Sequence, residues 1–305
     1  MRRLTSCYYL DVVLRRSSPM LQLLSRRTLA SMPENTKKEL VLALDHYFST
    51  TSFQFTSENN VSRLRTWMEL VYLRQRPLVA VDVEAWERNP NKITEIGLAV
   101  YDPDRQWNLI MPRVRTLHIL VKENKNKNNG RYVPNNKLRF NGGTSYEMLT
   151  AELKGLLNEI LTHYLNNRNG VLVGHNIGGD IKWLASHGVK LVQNIDTVDT
   201  EKMHRMSRLS GSSLRGVLRT VGIPHLNLHN AANDAYYTLL AAMSYCDPEQ
   251  RRVFELDTFM ELAVVEGDKK DNAARKKAEK FSDSAKILMG HEAPDALDFI
   301  GRELE

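Results

Sequence analysis

Hydrophobic positions in this chain fall into short apolar runs separated by polar punctuation, with longer amphipathic stretches on either side. The most informative run is Pro77-Leu-Val-Ala-Val-Asp-Val-Glu84, whose only charges are Asp82 and Glu84. Its apolar density predicts a buried strand, and the side-chain period of two puts both carboxylates on one face, roughly 6–7 Å apart. A second strand is predicted over Thr94–Tyr101, a turn at Asp102-Pro103-Asp104, and a third apolar run within 106–121, broken at Pro112. Three strands joined by short turns predict an antiparallel meander. Residues 36–48, 60–75 and Tyr146–Tyr164 carry helical spacing, the last with Leu149, Leu153, Leu156, Leu157, Ile160 and Leu161 on its apolar stripe. Val171–Asn176 reads as a short buried strand, and Gly178-Gly179-Asp180 leads into a helix to Ser186, closed by Gly188. That strand–helix–strand order, with a further strand and turn in 191–203, implies a parallel crossover. The expectation is an α/β fold around a mixed five-stranded sheet. Helices are also predicted over Ser212–Val221, from the His229–Asp234 segment through Tyr245, and at 249–266 and 271–287. The organisation expected is a helical extension at 34–76, a central domain at 77–247 and a charged helical extension at 248–305.

Composition narrows the setting. With 42% hydrophobic and 26% charged residues over 305 positions, the chain reads as globular, and no apolar run approaches a membrane span. A formal charge of +6 favours a polyanionic partner. Residues 1–33 hold Arg2, Arg3, Arg15, Arg16, Arg26 and Arg27 against one acid, Asp11, the bias of a mitochondrial transit peptide and hence of a matrix destination. A basic arm that binds nucleic acid directly is the other reading, and a nuclear or cytoplasmic location would go with it. Cys7 and Cys246 are the only cysteines, which excludes a disulfide framework and a cysteine-based metal site.

The candidate chemistry starts from the acid pair. Two carboxylates on one buried face repel and need a metal or a base to neutralise them; such a pair at a strand end is more often solvated or salt-bridged to a nearby Lys or Arg, while as metal ligands these oxygens suit Mg²⁺ or Mn²⁺ rather than zinc. Asp180 opens a helix, where it serves either as an N-cap or as a third carboxylate of the same site. His229 and Asp234 would diverge by about 140° on one helix, so His229 is expected in the entering loop with Asp234 in the first turn. The run Lys122–Gly143, with Lys122, Lys125, Lys127, Arg131, Lys137 and Arg139, is either a solvated loop or a track for a phosphate backbone. Trp86, Trp183 and Tyr237 are candidates for stacking on bases, with Trp183 better explained as core.

Asp82-x-Glu84 on the first strand, Asn176-x-x-x-Asp180 after a later strand and His229-x-x-x-x-Asp234 entering a helix together resemble the three motifs of the DEDDh 3′–5′ exonucleases, the DnaQ-like branch of the ribonuclease H-like fold. Ser213-Leu214, Gly222-Ile223 and Asp199-Thr200 resemble that family's connecting segments, and the likeness covers about 78–246. His118–Gly143 further resembles a little-characterised group of fungal DEDDh-type proteins. The resemblance implies two Mg²⁺ or Mn²⁺ ions, one on Asp82, Glu84 and Asp234 and a second shared by Asp82 and Asp180. His229 is then the general base, and nucleoside 5′-monophosphates leave the 3′ end of a single strand, RNA favoured over DNA. The candidate substrate contacts are Asn176, Trp86, which directly follows the acid strand, and Lys122 and Arg131 of the basic segment. Family members usually carry Thr directly after the second acid, whereas Ala85 and Trp86 follow Glu84 here. A catalytically inert nucleic-acid or partner-binding adaptor, or a DNA proofreading or repair exonuclease, would share the fold.

Overall fold

The computed structural model describes residues 32–261 apart from 105, 107, 108, 192 and 193. Two helices, α1 (Glu34–Thr50) and α2 (Asn59–Tyr72), precede β1 (Leu78–Trp86), β2 (Asn89–Tyr101) and β3 (Val114–Val121). These three strands pair antiparallel in sequence order. Then come β4 (Ser145–Met148), α3 (Thr150–Leu161), β5 (Val171–Gly174), α4 (Gly178–Ser186), β6 (Thr197–Asp199), α5 (Thr200–Ser207), α6 (Leu214–Thr220), α7 (Ala231–Tyr245) and α8 (Pro248–Val253). The sheet order is β4-β3-β2-β1-β5-β6, with β4, β5 and β6 each parallel to its neighbour.

The mixed α/β sheet stands as expected, but with six strands rather than five. The extra strand, Ser145–Met148, lies where the leucine pattern predicts the start of a helix. Pairing with β3 satisfies its backbone, and the helix begins only at Thr150, where the Glu152 carboxylate accepts the Leu149 N–H at 2.9 Å. Leu149 is therefore exposed rather than part of the apolar stripe. The further strand expected in 191–203 stands as β6, but a second departure follows it, where α5 replaces the expected turn. Asp199 caps it by accepting the N–H groups of Glu201 at 3.1 Å and Lys202 at 3.4 Å. The helix predicted over 249–266 is only the short α8 in the described part, and residues 262–305, including the helix expected at 271–287, lie outside the described residues. So do residues 1–31 of the leader expected over 1–33.

Two cores flank the sheet. Even-numbered β1 residues Leu78 and Ala80 pack with Ala235, Leu239 and Ala242 of α7 and with Leu64 and Met68 of α2. Odd-numbered Val79 and Val81 pack with Leu153, Leu157 and Ile160 of α3 on the other face. Period two therefore carries Asp82 and Glu84 to the α7 face. The N-terminal helices are tied into this body: Trp67 Nε1 donates to Thr197 O at 2.9 Å, and Tyr47 O–H donates to Asp257 at 2.7 Å. Arg251, only 1% exposed, meets Asp257 at 2.8 Å and donates to the carbonyls of Tyr245 and Leu256 at 2.9 Å. Among the described residues no helix is long and apolar enough to cross a membrane.

Gly97 sets the distance between α7 and the sheet. It pairs with Asp82, and a Cβ built on it would lie 2.1 Å from the backbone of Ala231. Backbone cannot give way as a side chain can. Gly97→Ala is therefore expected to lower stability in urea unfolding by roughly 1–3 kcal/mol or more. A variant as stable as the parent would contradict this packing.

Candidate active site

The site forms where the C-terminal half of β1 meets the N-terminus of α7. Asp82 and Glu84 project from the strand, and Asp234 comes from the first turn of α7. Asn230 caps that helix by accepting the Asn233 N–H at 3.1 Å. Immediately before the cap, His229 takes a left-handed backbone (φ 66°), which turns its N–H onto Asp234 Oδ2 at 2.9 Å. Its Nδ1 lies 3.9 Å from Glu84 Oε1, and Glu84, His229 and Asp234 each offer a donor atom within 4.8 Å of the others. Asp180 is in the first turn of α4 but is not its cap, a position held by Ile177. Its charge is felt at Asp82 and Glu84, so the third motif acid belongs to this cluster.

The electrostatics follow from crowding anions in a buried place. Burial, then the charges of Asp234, Glu84, Asp180 and Glu95, push the Asp82 carboxyl well above the usual range. Glu84 is raised in the same way, by burial and then by Glu95, Asp234 and Asp180. Burial lifts Asp180 to about 7, against the Val83 N–H, and lifts Asp234 to about 7, against the His229 N–H. His229 moves the other way: burial and the Arg215 charge lower its pKa, which keeps the imidazole neutral at pH 7. Asp234 Oδ1 is buried with no hydrogen-bond partner among the described residues. An orphaned carboxylate oxygen among other hard oxygen donors fits a divalent cation such as Mg²⁺ or Mn²⁺.

Two residues of this neighbourhood went unassigned in the sequence. Glu95 pairs across the sheet with Glu84, is 3% exposed, and accepts the Ala231 N–H at 3.3 Å. The buried His118 places Nε2 3.1 Å from Glu95 and Nδ1 2.7 Å from the Ser145 hydroxyl. This pair ties β2, β3 and β4 to the helix start that carries Asp234. The available signal was an acid isolated in the apolar run Thr94–Tyr101.

The expected substrate contacts are more dispersed. Asn176 is exposed after β5, in a left-handed conformation (φ 58°), with its N–H held by Asp199 Oδ1 at 3.0 Å. Lys122 is exposed on a single 3₁₀ turn after β3. Arg131 lies over the Tyr132 ring, 5.0 Å from its centroid. Trp86 has Lys127 Nζ 4.9 Å and the Arg88 guanidinium 5.8 Å from its ring centroid. Trp183 stacks on His187 at 4.2 Å, and the Tyr237 hydroxyl accepts the Leu226 N–H at 3.2 Å, which gives both a packing role.

The raised carboxyls give a signed pH prediction. Their folded pKa values near 7 exceed the unfolded value of about 4, so their contribution to stability is full in acid and lost as pH rises through 7. In EDTA the thermal midpoint should fall on going from pH 5.5 to 8, and Mg²⁺ or Mn²⁺ should raise it more at pH 8 than at pH 5.5. Asp82→Asn should flatten the EDTA profile. A cation effect equal at both pH values would contradict this electrostatic picture.

Comparison with known proteins places the chain in a family. The family model described as "DNA polymerase III subunit epsilon-like, C-terminal domain", of the DEDDh type, matches residues 77–245. Good for full DBP5 activity protein 2 of Saccharomyces cerevisiae is 30% identical over 233 residues, covering 67% of this chain and 41% of that protein. Uncharacterized protein YDR514C of the same yeast is 32% identical over 217 residues, covering 62% of this chain and 45% of that protein. The chain thus spans less than half the length of these two curated relatives. An exonuclease I structure is 15% identical over 59% of this chain and 43% of its own, with a TM-score of 0.37, too slight a likeness to inform activity. Because that family model spans residues 77–245, more than half of the chain, the chain belongs to the DEDDh family of ribonuclease H-like exonucleases.

Proposed function

We propose that this protein is a divalent-cation-dependent 3′–5′ exonuclease that shortens single-stranded nucleic acid, RNA ahead of DNA, releasing nucleoside 5′-monophosphates. The observation that carries the reading is the meeting of Asp82, Glu84, Asp180 and Asp234 beside a neutral His229, with one buried oxygen of Asp234 unpartnered among the described residues. Asp82, Glu84 and Asp234 would hold one Mg²⁺ or Mn²⁺ ion and Asp82 with Asp180 a second, whose chemistry when bound is to stabilise the attacking and leaving oxygens of an in-line displacement. His229 Nδ1 faces the carboxylates and accepts the proton of the attacking water. The Asp234 carboxylate fixes the His229 backbone through its N–H, which limits where the imidazole can swing. Asn176, exposed two residues before the start of α4, is proposed to meet the terminal nucleotide. Lys122 adds positive charge beyond β3. A mitochondrial matrix destination is proposed from the arginine-rich leader, and a fluorescent fusion lacking residues 1–33 that still enters mitochondria would refute it.

Incubating 5′-labelled single-stranded RNA and DNA of one sequence with Mg²⁺ or EDTA tests the reading. A Mg²⁺-dependent ladder is expected, faster on RNA, and absent with Asp82→Ala or Asp234→Ala. His229→Ala should slow it by about 10²–10⁴-fold. Faster loss of DNA would overturn the RNA preference. Binding of either polymer with no cleavage would turn the assignment to a catalytically inert adaptor.

A further inference from the structure

The basic segment after β3 is a fixed strap rather than a solvated loop. The Glu87 carboxylate, three residues beyond Glu84, accepts the N–H groups of Arg131 at 3.0 Å, Tyr132 at 3.1 Å and Gly130 at 3.3 Å. Asn129 accepts the Glu87 N–H and donates to Ala85 O, both at 2.9 Å. Lys137 is 3% exposed, and its ammonium donates to Lys125 O and Asn128 Oδ1 at 3.2 Å and also to Lys127 O. On the far side, Asn136 Nδ2 donates to Leu228 O at 2.6 Å, and Asn230 Nδ2 donates to the carbonyls of Asn136 and Lys137 at 3.1 Å. The strap therefore bridges the strand end that carries Glu84 and the turn that carries His229.

Lys137 is used inward and Lys125 pairs with Glu147 at 3.5 Å, whereas Lys127 and Arg131 lie against aromatic rings. Lys127 lies over Trp86, Arg131 over Tyr132, and Arg88 flanks Trp86 from the β1–β2 turn. None of these three cations has a carboxylate within ion-pair distance among the described residues, because the Glu87 carboxylate is occupied by backbone N–H groups. Tyr132 is 72% exposed even with Arg131 against it. Unpaired cations beside an open aromatic ring, held on a rigid frame at the edge of an acidic centre, match a polyanion that also offers flat faces for stacking.

We infer that the Lys127–Arg131–Tyr132 rim binds the upstream part of the single-stranded polynucleotide whose 3′ end reaches Asp82. Lys127 and Arg131 take backbone phosphates, and Tyr132 stacks on a base. Trp86 does not stack, because its ring supports Lys127 and Arg88. This assignment deepens the exonuclease reading and rests on it. An acidic peptide would satisfy the cations but leave Tyr132 without a role.

The test is binding of a fluorescent 12-nucleotide single strand to the full chain in EDTA, read by anisotropy across a salt series. Tyr132→Ala should raise Kd by about fivefold or more and Tyr132→Phe should restore affinity, since stacking needs the ring and not the hydroxyl. Lys127→Ala with Arg131→Ala should reduce the salt slope by about 1.4, the value for two phosphate contacts on a single strand. Trp86→Phe, which keeps a ring beneath Lys127, should bind as the parent does. Parent-like affinity and slope in the rim variants would overturn the assignment, as would equal competition by polyglutamate of matched charge. Because no turnover is required, the two readings separate. Loss of binding in rim variants of a protein that cleaves nothing would sink the nuclease and keep the rim; cleavage with unchanged binding would do the reverse.

Discussion

Mutual repulsion among carboxylates is the constraint around which this fold is arranged. Asp82, Glu84, Asp180 and Asp234, with Glu95 next to Glu84, converge where little water can screen them, and each motif acid is driven towards its protonated form. Such an arrangement survives folding only if the surrounding structure over-determines it and a counter-charge is available when it works. The over-determination is visible in the packing. Gly97 lets α7 touch the strand beside Asp82, Asn230 caps α7, and Glu95 takes the Ala231 N–H at the same helix start. Among the described residues the chain supplies little of the counter-charge: Arg215 is felt at Asp234 and His229, but Lys127, Arg88 and Arg131 lie against the Trp86 and Tyr132 rings, and the buried Lys137 is used on backbone carbonyls. That division of charge, anionic floor and cationic rim, is what a metal-assisted cut of a polyanion requires.

The rim depends on asparagine. Between β3 and α7, Asn129, Asn136, Asn141, Asn230 and Asn233 bond to backbone groups of facing segments, one short side chain supplying both a donor and an acceptor. The result joins two parts of the site that are distant in sequence, the end of β1 and the His229 turn. The N-terminal helices and α8 have a different task. Through Trp67, Tyr47, Arg251 and Asp257 they close the sheet face behind α7, and the described contacts give them no part in the chemistry.

Much of this was readable from the chain because the informative patterns are local. The period of two in Val79–Glu84 places both acids on one face of the strand. What was not readable depends on partners far away in sequence. Ser145–Met148 becomes a strand only because β3 offers an edge, so its leucine-rich continuation read as helix throughout. Lys137 belongs to a run of cations that looks solvated, and nothing local reveals that three oxygens from residues 125–128 surround its ammonium. Glu95 and His118 were silent for the same reason: each is ordinary alone, and their meaning lies in a cross-strand meeting. Trp86 follows the acid strand directly, but its cationic company depends on the strap's return path.

The central claim is that the four motif carboxylates form one divalent-cation centre. Anomalous diffraction from crystals grown with Mn²⁺ and a nucleoside 5′-monophosphate tests it most directly. The account predicts two manganese peaks, both within coordination distance of Asp82, one shared with Glu84 and Asp234 and the other adjoining Asp180. Full Mn²⁺ exposure with no peak among these carboxylates, or a single peak that leaves Asp82 uncoordinated, would contradict it.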